Sequence, residues 1–484
     1  MISEAIKESM YGLIVIGDDL SSWIAAAAAS SKGIKTVLIT ENGNGCISLI
    51  GDLAFETDSA PLTGLGENQV CHSLLNNSGI HPDTSLMNPA FQVILPENRL
   101  DFFNGKDELV TELVREFPDL AADIKSFYDA SFALSARVEK WITEHPFIRP
   151  SGFKEVLDYG KLLPCWAKGI YYNLKLRKMM RQNQAFKKVM EAARVLLSFR
   201  TGASNPLFSH FLYSAPLRGA YNFSAGKQDF FTYLIKIIET KGGVHLNRFE
   251  VIAVKKDKTV EVTYQDKNRD AFKVEADNLI VSTKWQNMRL IIDRGKKFSF
   301  GDFIRPARIS HFPFTVHLGI KPQCLPVKMA SHVAVISDAE KDIYDNNLIV
   351  LKSGARDNTG GASKIPLTAT VYLPDEEKIW SKESLNRTAL SIIERLEYFL
   401  PFLAENIELI DIQDSIDISQ KQRNVVNPRY RIRNSLLTRL ASKNNQTKFG
   451  NIYLTGASLL ADIGYEGEII SGLNAASRII SQRK

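Results

Sequence analysis

Short apolar runs alternate with amphipathic stretches along the chain, and this pattern predicts a mixed α/β protein. The clearest unit occupies residues 11–41. Two β-rich runs, at residues 13–16 and 36–40, flank an alanine-rich, helix-forming stretch at residues 23–31. A strand, a turn, a helix and a second strand in this order form a βαβ unit, around which the rest of the chain is expected to be organised.

Similar patterns predict the elements that follow. Residues 91–103 are expected to form a strand, a turn and a strand, and residues 43–66, rich in glycine and small polar residues, a long covering loop. Residues 138–150 and 157–166 are expected to be irregular. Helices are predicted at residues 108–134 with a break near Pro118, 169–199, 229–243, 381–399 and 468–480. Strands are predicted at residues 244–251, 260–264, 271–274, 279–281, 315–320, 332–336, 348–352, 369–373 and 451–455.

The turn after the first strand keeps only part of a dinucleotide-binding fingerprint. Gly17 is present, but Asp19 and Ser22 stand where the fingerprint has its second and third glycines. Asp19 adds bulk and a negative charge beside an expected pyrophosphate, and two unit charges about 4 Å apart repel by about 4 kcal/mol at an effective dielectric of 20. Glu41, at the end of the second strand, is in the position that binds a ribose 2′-hydroxyl. Two readings therefore stay open, a dinucleotide site and an ordinary βαβ crossover.

Length and charge limit the broad class of the protein. With 484 residues, 44% of them hydrophobic, the chain can bury a large core, which favours two domains or one domain with a sizeable insertion. The net charge is +6, and residues 168–200 hold nine basic residues against the single acid Glu191. This segment is either the solvated face of core-packing helices or an attachment to an anionic membrane surface. The basic residues are Lys168, Lys175, Arg177, Lys178, Arg181, Lys187, Lys188, Arg194 and Arg200.

Several classes of site lack sequence support. The four cysteines are far apart and no histidine stands at metal-ligand spacing, so neither a metal site nor a dithiol motif is indicated. The eight histidines follow no nucleophile-elbow pattern. No binding module accompanies the basic run, which argues against a nucleic-acid partner. No uninterrupted apolar run reaches the roughly 18–20 residues of a membrane-spanning helix. A reducing, cytoplasmic location is expected, with peripheral membrane attachment as the alternative.

Four stretches together resemble the phytoene desaturase and carotenoid or retinol oxidoreductase branch of the FAD-dependent amine-oxidase-like superfamily, over essentially the whole chain. Their order and spacing are similar to those of the family. They are VIGDDLSSWIAAAAASSKGIKTVLITE, VILPENRLDFF with the helical region after it, PLRGAYNFSAGKQDFFTYLIKIIETKGGVHLNRFEVIAV and NIYLTGASLLADIGYEGEIISGLNAASRII.

The resemblance implies a fold class, a domain division and a cofactor. The fold is α/β, a Rossmann-like, glutathione-reductase-like FAD-binding fold with an inserted α+β substrate domain. Residues 1–100, 205–290 and 430–484 would form the discontinuous FAD domain, and residues 101–204 and 291–429 the substrate or cap domain. Glu41 would bind the adenosine ribose, the backbone at Val251 would lie near adenine, and the helix after Gly467 would direct its N-terminus at the flavin. The implied cofactor-binding residues are Gly17, Asp18, Asp19, Leu20, Ser22, Glu41, Val251, Gly456, Ala457, Gly467, Glu468 and Ile469.

The departures from the family pattern are concentrated on the cofactor. The family's Gly-Gly-Arg after the second strand is Asn44-Gly45-Cys46 here, and Ala457 replaces the acid that usually holds the ribityl chain. Together with Asp18 and Asp19, the acids Glu466 and Glu468 would lie on the path of a polyanionic cofactor. Binding of FAD is therefore expected to be weak or lost.

Two functions remain open. One is an FAD-type oxidoreductase that transfers hydride to or from a lipophilic polyene or long-chain molecule. The other is a flavin-free relative that binds a lipid or a partner protein, as the Rab escort and GDP-dissociation-inhibitor proteins of this fold do. Arg429, Arg431 and Arg433 lie shortly before the last strand, where they would either hold an acidic ligand or form a solvated strand edge. No catalytic residue can be named from the sequence.

Overall fold

The protein is described by a computed structural model over residues 10–43, 47–56, 58, 60–144, 160–202, 204–284, 307–354, 364–423, 426–432, 445–447 and 449–482. The motif at Asn44, Gly45 and Cys46 and the residue Arg433 lie outside these ranges.

The described residues contain strands that pair into four sheets. In chain order they are β1 (Tyr11–Ile16), β2 (Thr36–Thr40), β3 (Ile47–Ile50), β4 (Leu53–Glu56), β5 (Leu62–Thr63), β6 (Thr84–Met87), β7 (Phe91–Ile94), β8 (Arg99–Phe102), β9 (Arg200–Thr201), β10 (Ala220–Phe223), β11 (Val244–Asn247), β12 (Glu250–Lys256), β13 (Val260–Gln265), β14 (Ala271–Ser282), β15 (Ala307–Ile320), β16 (His332–Ile336), β17 (Leu348–Ser353), β18 (Ile365–Pro374), β19 (Ile407–Ile410), β20 (Arg429–Ile432) and β21 (Ile452–Thr455).

Helices cover the faces of these sheets. In chain order they are α1 (Leu20–Ser31), α2 (Val70–Asn77), α3 (Lys106–Glu116), α4 (Ala121–Glu144), α5 (Leu163–Gln182), α6 (Gln184–Leu197), α7 (Pro206–Tyr213), α8 (Ala215–Arg218), α9 (Gly226–Thr240), α10 (Lys382–Phe399), α11 (Leu403–Asn406), α12 (Ile412–Gln422) and α13 (Gly464–Gln482).

The first sheet has seven strands in the order β11-β2-β1-β14-β13-β12, with β21 also paired to β14. Strands β11, β2, β1, β14 and β21 run parallel, while β13 and β12 continue the sheet as an antiparallel ribbon. The predicted βαβ unit is confirmed: β1 and β2 pair in parallel, with Leu13 beside Thr36, and α1 crosses between them. The carboxyl ends of β1, β14 and β21 meet at one edge of this sheet, which is where doubly wound folds bind ligands.

The second large sheet has nine strands in the order β8-β7-β16-β17-β18-β15-β20-β9, with β19 also paired to β15. One hydrophobic cluster fills the side of this sheet that carries α10 and α12, and another joins its opposite side to helices α3 to α7. The small sheet β5-β10-β6 and the hairpin β3-β4 are separate from both large sheets. Their strands contribute residues to a cavity described below.

Helix α1 is buried along almost its whole length, from Leu20 to Ser30. Its alanines allow close packing, and α13 crosses it where a Cβ on Gly472 would lie 2.3 Å from the carbonyl oxygen of Ser21. Any other residue at position 472 would bring its Cβ into overlap with that oxygen, so only glycine permits this approach. The two ends of the sequence thus share one hydrophobic core, to which Trp23 and Ile470 both belong.

Several predicted segments differ from the structure. Residues 43–66 are not one covering loop, because Gly51 and Asp52 turn a hairpin between β3 and β4. Residues 138–144 are helical rather than irregular and extend α4, as are residues 163–166 at the start of α5. The strands predicted at 271–274 and 279–281 are one strand, β14, because its first half pairs with β13 and its second half with β1 and β21. Helix α13 begins at Gly464, four residues before the predicted start.

Candidate cofactor crevice and adjoining cavity

Several of the predicted site residues meet at the carboxyl ends of β1, β14 and β21, the place called the crevice below. Gly17 ends β1 with φ +154, a conformation that L side chains rarely adopt, and a Cβ there would meet the Oγ of Ser22 at 2.4 Å and the Cβ of Ser282 at 2.5 Å. On the opposite side, a Cβ on Gly456 would lie 3.4 Å from a carboxylate oxygen of Asp19. The structure therefore brings Gly17, Asp19, Ser22 and Gly456 together.

Asp19 closes the N-terminus of α1. Its side chain caps the helix by accepting hydrogen bonds from the backbone N–H of Ser22 at 3.1 Å and from the hydroxyls of Ser21 at 3.0 Å and Ser22 at 2.5 Å. Its second oxygen accepts a hydrogen bond from the hydroxyl of Ser282 at 2.7 Å. Asp19 is 2% exposed. A helix N-terminus is a ready-made anion site, and here the protein's own carboxylate occupies it. Leu20, the first residue of α1, is buried beside it.

Asp18 lies on the outer side of the same turn and is half-buried. Its carboxylate accepts hydrogen bonds from the backbone N–H of Asn42 at 3.1 Å and from the Asn42 side chain at 3.3 Å. Burial raises the pKa of Asp18 to about 7, with smaller contributions from the charges of Glu41 and Asp19, although the Asn42 hydrogen bonds act in the opposite direction. Asp18 therefore changes its charge near neutral pH.

Glu41 and Val251 meet at the far end of the crevice. The carboxylate of Glu41 accepts a hydrogen bond from the backbone N–H of Val251 at 3.0 Å. These are the two groups that the family resemblance assigns to adenosine. The structure places them within contact of each other, and the side chain of Val251 is buried in the core.

The residues after β21 form a buried, short helical turn rather than an acidic clamp. Ala457 is fully buried and begins that turn. The N–H of Gly456 donates to the hydroxyl of Ser471 at 3.0 Å, and this hydroxyl donates to the carbonyl of Glu468 at 2.9 Å. These hydrogen bonds hold the end of β21 against the first turns of α13.

Glu466 is neutralised inside the protein. Arg218 donates two hydrogen bonds to its carboxylate, at 2.8 and 2.9 Å, and the hydroxyl of Thr63 donates a third at 2.6 Å. Arg218 also stacks on the ring of Phe211, with 3.8 Å from the guanidinium carbon to the ring centroid. Both charged side chains are buried, at 6% and 2% exposed. Near this pair, burial raises the pKa of Glu139, whereas the charge of Arg218 lowers it.

Glu468 lies on the next face of α13, in the crevice itself. It is 1% exposed, accepts a hydrogen bond from Asn427 at 2.7 Å and lies 3.8 Å from the ammonium of Lys284. Burial raises the pKa of Glu468; Lys284 opposes this rise and the charge of Asp19 adds to it. Of the other two predicted residues on this helix, Gly467 packs against the carbonyl of Leu460 and Ile469 belongs to the hydrophobic core.

Sequence reasoning missed the cations and donors that neutralise the crevice. Arg218, the pair Ser282 and Lys284, and Asn427 come from three segments far apart in sequence and carry no local motif. Arg429, one of the three arginines that the sequence places shortly before the last strand, is buried. It donates hydrogen bonds to the carbonyl of Ser198 at 2.8 Å and to the hydroxyl of Tyr372. The solvated-edge interpretation is therefore wrong for Arg429. Arg431 is exposed on β20, but this strand lies between β15 and β9 and is not an edge.

A second cavity lies between the hairpin β3-β4, the strand β10, the start of α9 and the strands β17 and β18. Its volume is about 510 Å³. Glu56 forms ion pairs there with Lys352 and, at 3.8 Å, with Lys227. The ammonium of Lys227 also lies 5.1 Å from the centroid of the Tyr465 ring. Burial would raise the pKa of Glu56, but the two lysines hold it at about 2.

The residues of the crevice fit FAD at one end and not at the other. The adenosine end retains Glu41 and the N–H of Val251. The pyrophosphate end does not fit, because the carboxylate of Asp19 already takes the helix N-terminus and its donors. Glu468 adds a second buried carboxyl group to the same crevice. FAD could enter only if Asp19 left its hydrogen bonds.

The basic segment does not form a single charged face. Lys188 is buried and pairs with Glu191 at 3.6 Å, and Arg200 is buried and pairs with Asp462 at 2.8 Å. An exposed row remains on α5, with spacings of three or four residues that place its members on one side of the helix. This outer face of α5 consists of Lys168, Tyr171, Leu174, Lys178 and Arg181. No helix among the described residues is both long and apolar enough to cross a membrane.

Searches against protein-family models and against curated proteins found no match to this sequence. Solved structures do match over nearly the whole chain. Wild-type putrescine oxidase bound to putrescine superposes with a TM-score of 0.61 at 13% identity, covering 98% of this chain and 99% of that one. Cyclohexylamine oxidase from Brevibacterium oxydans gives 0.56 at 12% identity, covering 98% and 100%. An oxidoreductase from Methanosarcina mazei gives 0.57 at 12% identity, covering 97% and 100%.

Identity at this level shows the fold. The expected fold class, a Rossmann-like FAD-binding fold with an inserted substrate domain, is confirmed. The structures that the chain resembles include two amine oxidases and an oxidoreductase.

Proposed function

We propose that the protein is an oxidoreductase of the FAD-dependent amine-oxidase-like superfamily that holds its cofactor weakly and acts on a lipophilic polyene or long-chain molecule, as in the phytoene desaturase branch. The observation that carries the proposal is the convergence of Glu41 and the N–H of Val251 at the edge of the parallel sheet. In a dinucleotide-binding fold, a carboxylate at the end of the second strand accepts hydrogen bonds from the ribose hydroxyls. When bound, FAD supplies hydride transfer, and the protein supplies position and electrostatics.

The weakness of cofactor binding follows from Asp19. To admit a pyrophosphate, the protein must break the hydrogen bonds that Asp19 accepts from Ser21, Ser22 and Ser282. Hydrogen bonds to a charged group are worth roughly 1.5–3 kcal/mol each. The displaced carboxylate must then reach water, since it would otherwise repel the cofactor. FAD would therefore exchange with solution instead of remaining as a permanent part of the protein.

We expect the purified protein to contain well under one equivalent of FAD. Flavin absorbance measured against protein concentration gives the occupancy, and titration with FAD gives the affinity. Because the pKa of Asp18 is about 7, Asp18 is largely neutral at pH 6 and charged at pH 8. FAD should therefore bind more tightly at pH 6 than at pH 8. A full equivalent of FAD that survives dialysis would contradict the proposed weak binding.

A second candidate function is favoured by the same carboxylate. A flavin-free relative that binds a lipid or a partner protein would have no need of the helix N-terminus as an anion site, and Asp19 would be its permanent cap. No spectral change and no FAD affinity at any pH between 6 and 8, in a folded protein, would favour this candidate over the oxidoreductase.

We further propose that the protein is cytoplasmic and attaches peripherally to anionic membranes through the outer face of α5, from which a lipophilic substrate could be collected. Tyr171 and Leu174 are 54% and 58% exposed, and they lie between Lys168 on one side and Lys178 and Arg181 on the other. Each basic residue near an anionic surface contributes about 1 kcal/mol. A prenylated or other lipid-bearing partner protein could use the same surface.

Vesicle co-sedimentation tests this attachment. The wild type should pellet with anionic but not with neutral vesicles, and added salt should release it, because salt screens exposed charges beyond roughly 8–10 Å. The variant Lys178→Glu/Arg181→Glu should stay in solution. A control with two charge reversals at exposed positions, Lys255→Glu on β12 and Lys267→Glu in the turn between β13 and β14, should pellet like the wild type. Equal behaviour with both vesicle types would rule out the attachment.

A further inference from the structure

We propose that the cavity around Glu56, Lys227 and Lys352 binds the carboxylate of an amphipathic organic acid, so that the substrate of the proposed oxidoreductase is an acid rather than an amine. That the bound acid is a substrate rests on the proposed oxidoreductase function. That the cavity binds an acid rests on the geometry of the cavity alone. A volume of about 510 Å³ lies within the range of small-molecule sites, roughly 300–1,000 Å³.

The charge of the lining residues favours an anion. Two ammonium groups, Lys227 and Lys352, face one carboxylate, Glu56, among the residues that line the cavity. The lysine side chains are 8% and 12% exposed, so water screens them less than it screens surface lysines. Asp58 does not line the cavity and is a weaker neighbour of Lys352. A ligand carboxylate would therefore meet more cationic than anionic side chains on the cavity lining.

The N-terminus of α9 adds backbone N–H donors, which also favour an anion. Ala225, Gly226 and Lys227 line the cavity, and no side chain caps this helix end. The first backbone N–H groups of a helix have no partner within the helix, and they favour an anion. Hydroxyls from Ser353 and Thr368 lie on the facing strands β17 and β18. The head of the acid would thus lie between α9 and these strands.

The remaining wall suits an apolar body. It is formed by Ala54, Ala60, Leu62, Phe223 and Pro366. Phe223 stacks on Phe230, with 4.1 Å between ring centroids, which fixes its ring as part of this wall. A ligand with a charged head and an apolar chain matches both parts of the lining. An ammonium head would instead meet two like charges. The cavity is therefore less suited to amines such as putrescine than to acids.

Binding of three probes of equal chain length tests the proposal: decanoate, decylamine and decanol. Isothermal titration of the protein without FAD should show one decanoate site and at least tenfold weaker binding of decylamine and decanol. Lys352→Met should weaken decanoate binding about tenfold or more, because a charge-assisted hydrogen bond is lost. Glu56→Gln should strengthen it, since removing the carboxylate frees both lysines. The control Lys273→Met, at an exposed position in the first half of β14, should leave binding unchanged, and thermal unfolding verifies that each variant is folded.

The outcomes separate this inference from the proposed function. Decanoate binding without any FAD binding would support the acid site and contradict the oxidoreductase. Equal or tighter binding of decylamine would overturn the acid site whatever the FAD titration shows. Decanoate binding that is indifferent to both Lys352→Met and Glu56→Gln would also overturn it, because the acid would then lie elsewhere. If Lys352→Met fails to fold, the gain expected for Glu56→Gln still decides the question.

Discussion

Replacing Asp19 and Ser22 by glycine should tighten FAD binding by about 10- to 100-fold. The Asp19→Gly/Ser22→Gly variant removes the carboxylate from the N-terminus of α1 and reopens the close approach of backbone to pyrophosphate. The full repulsion of two unit charges about 4 Å apart is about 4 kcal/mol at an effective dielectric of 20, and solvent and salt reduce it. Titration of both proteins with FAD measures the change.

This variant also loses a helix cap, which typically stabilises a protein by about 1 kcal/mol. Asp411→Gly provides the matched control, because Asp411 caps α12 by accepting a hydrogen bond from the N–H of Asp414 at 2.8 Å. The control should lose similar stability and gain no FAD affinity. If the double variant binds no more tightly than the wild type, the obstacle lies at Ala457, Glu466 or Glu468 instead of the turn.

Arg218→Met should lower the free energy of unfolding by about 3–5 kcal/mol, because it leaves the buried carboxylate of Glu466 without its cation. The double variant Arg218→Met/Glu466→Met should recover much of the loss, since an apolar pair has no charge to desolvate. The control is Lys273→Met, whose ion pair with Glu261 is largely exposed, and it should cost less than about 1 kcal/mol. Urea unfolding of the four proteins gives the comparison.

The pH dependence of the Arg218→Met variant has a definite sign. In the wild type, burial raises the pKa of Glu139 and the charge of Arg218 lowers it. Without Arg218 the folded-state pKa rises further above the unfolded value. A carboxyl group with a raised folded pKa loses stability as pH rises through the unfolded pKa. The deficit of Arg218→Met should therefore be larger at pH 7 than at pH 5, and an equal deficit at both values would show that Glu139 does not sense the guanidinium.

Local patterns predicted the scaffold because the scaffold is built from local signals. The run from Tyr11 to Thr40 shows β-rich, helix-forming and β-rich composition in order, and the structure has β1, α1 and β2 there. The hairpin β3-β4 also had a local signal, a two-residue Gly51-Asp52 turn between apolar runs, which the glycine-rich composition of the surrounding segment concealed. The early start of α13 had none. Gly464 and Gly467 disfavour a helix locally, and contacts with Leu197 and Leu460 override that preference.

The candidate site was predictable only in part. Glu41, Asp19 and Gly456 follow from their positions relative to predicted strands, so the crevice could be located from the sequence. The partners that neutralise its acids could not be predicted, because Arg218 and Lys284 are separated from Glu466 and Glu468 by about two hundred residues of chain. The sequence shows four acids on the path of a polyanion. Their separate partners appear only once the strands are assembled.

The crossing of α1 and α13 has a consequence for how the chain is made. Helix α1 leaves the ribosome long before α13, yet its apolar surface is covered by that helix, whose residues are numbered 464–482. Translation proceeds at about 5–20 residues per second, so α1 would wait on the order of tens of seconds for its partner. During that time Trp23 and its alanine-rich neighbours are available to chaperones or to a second nascent chain. The yield of folded protein should depend on which of these binds the uncovered surface.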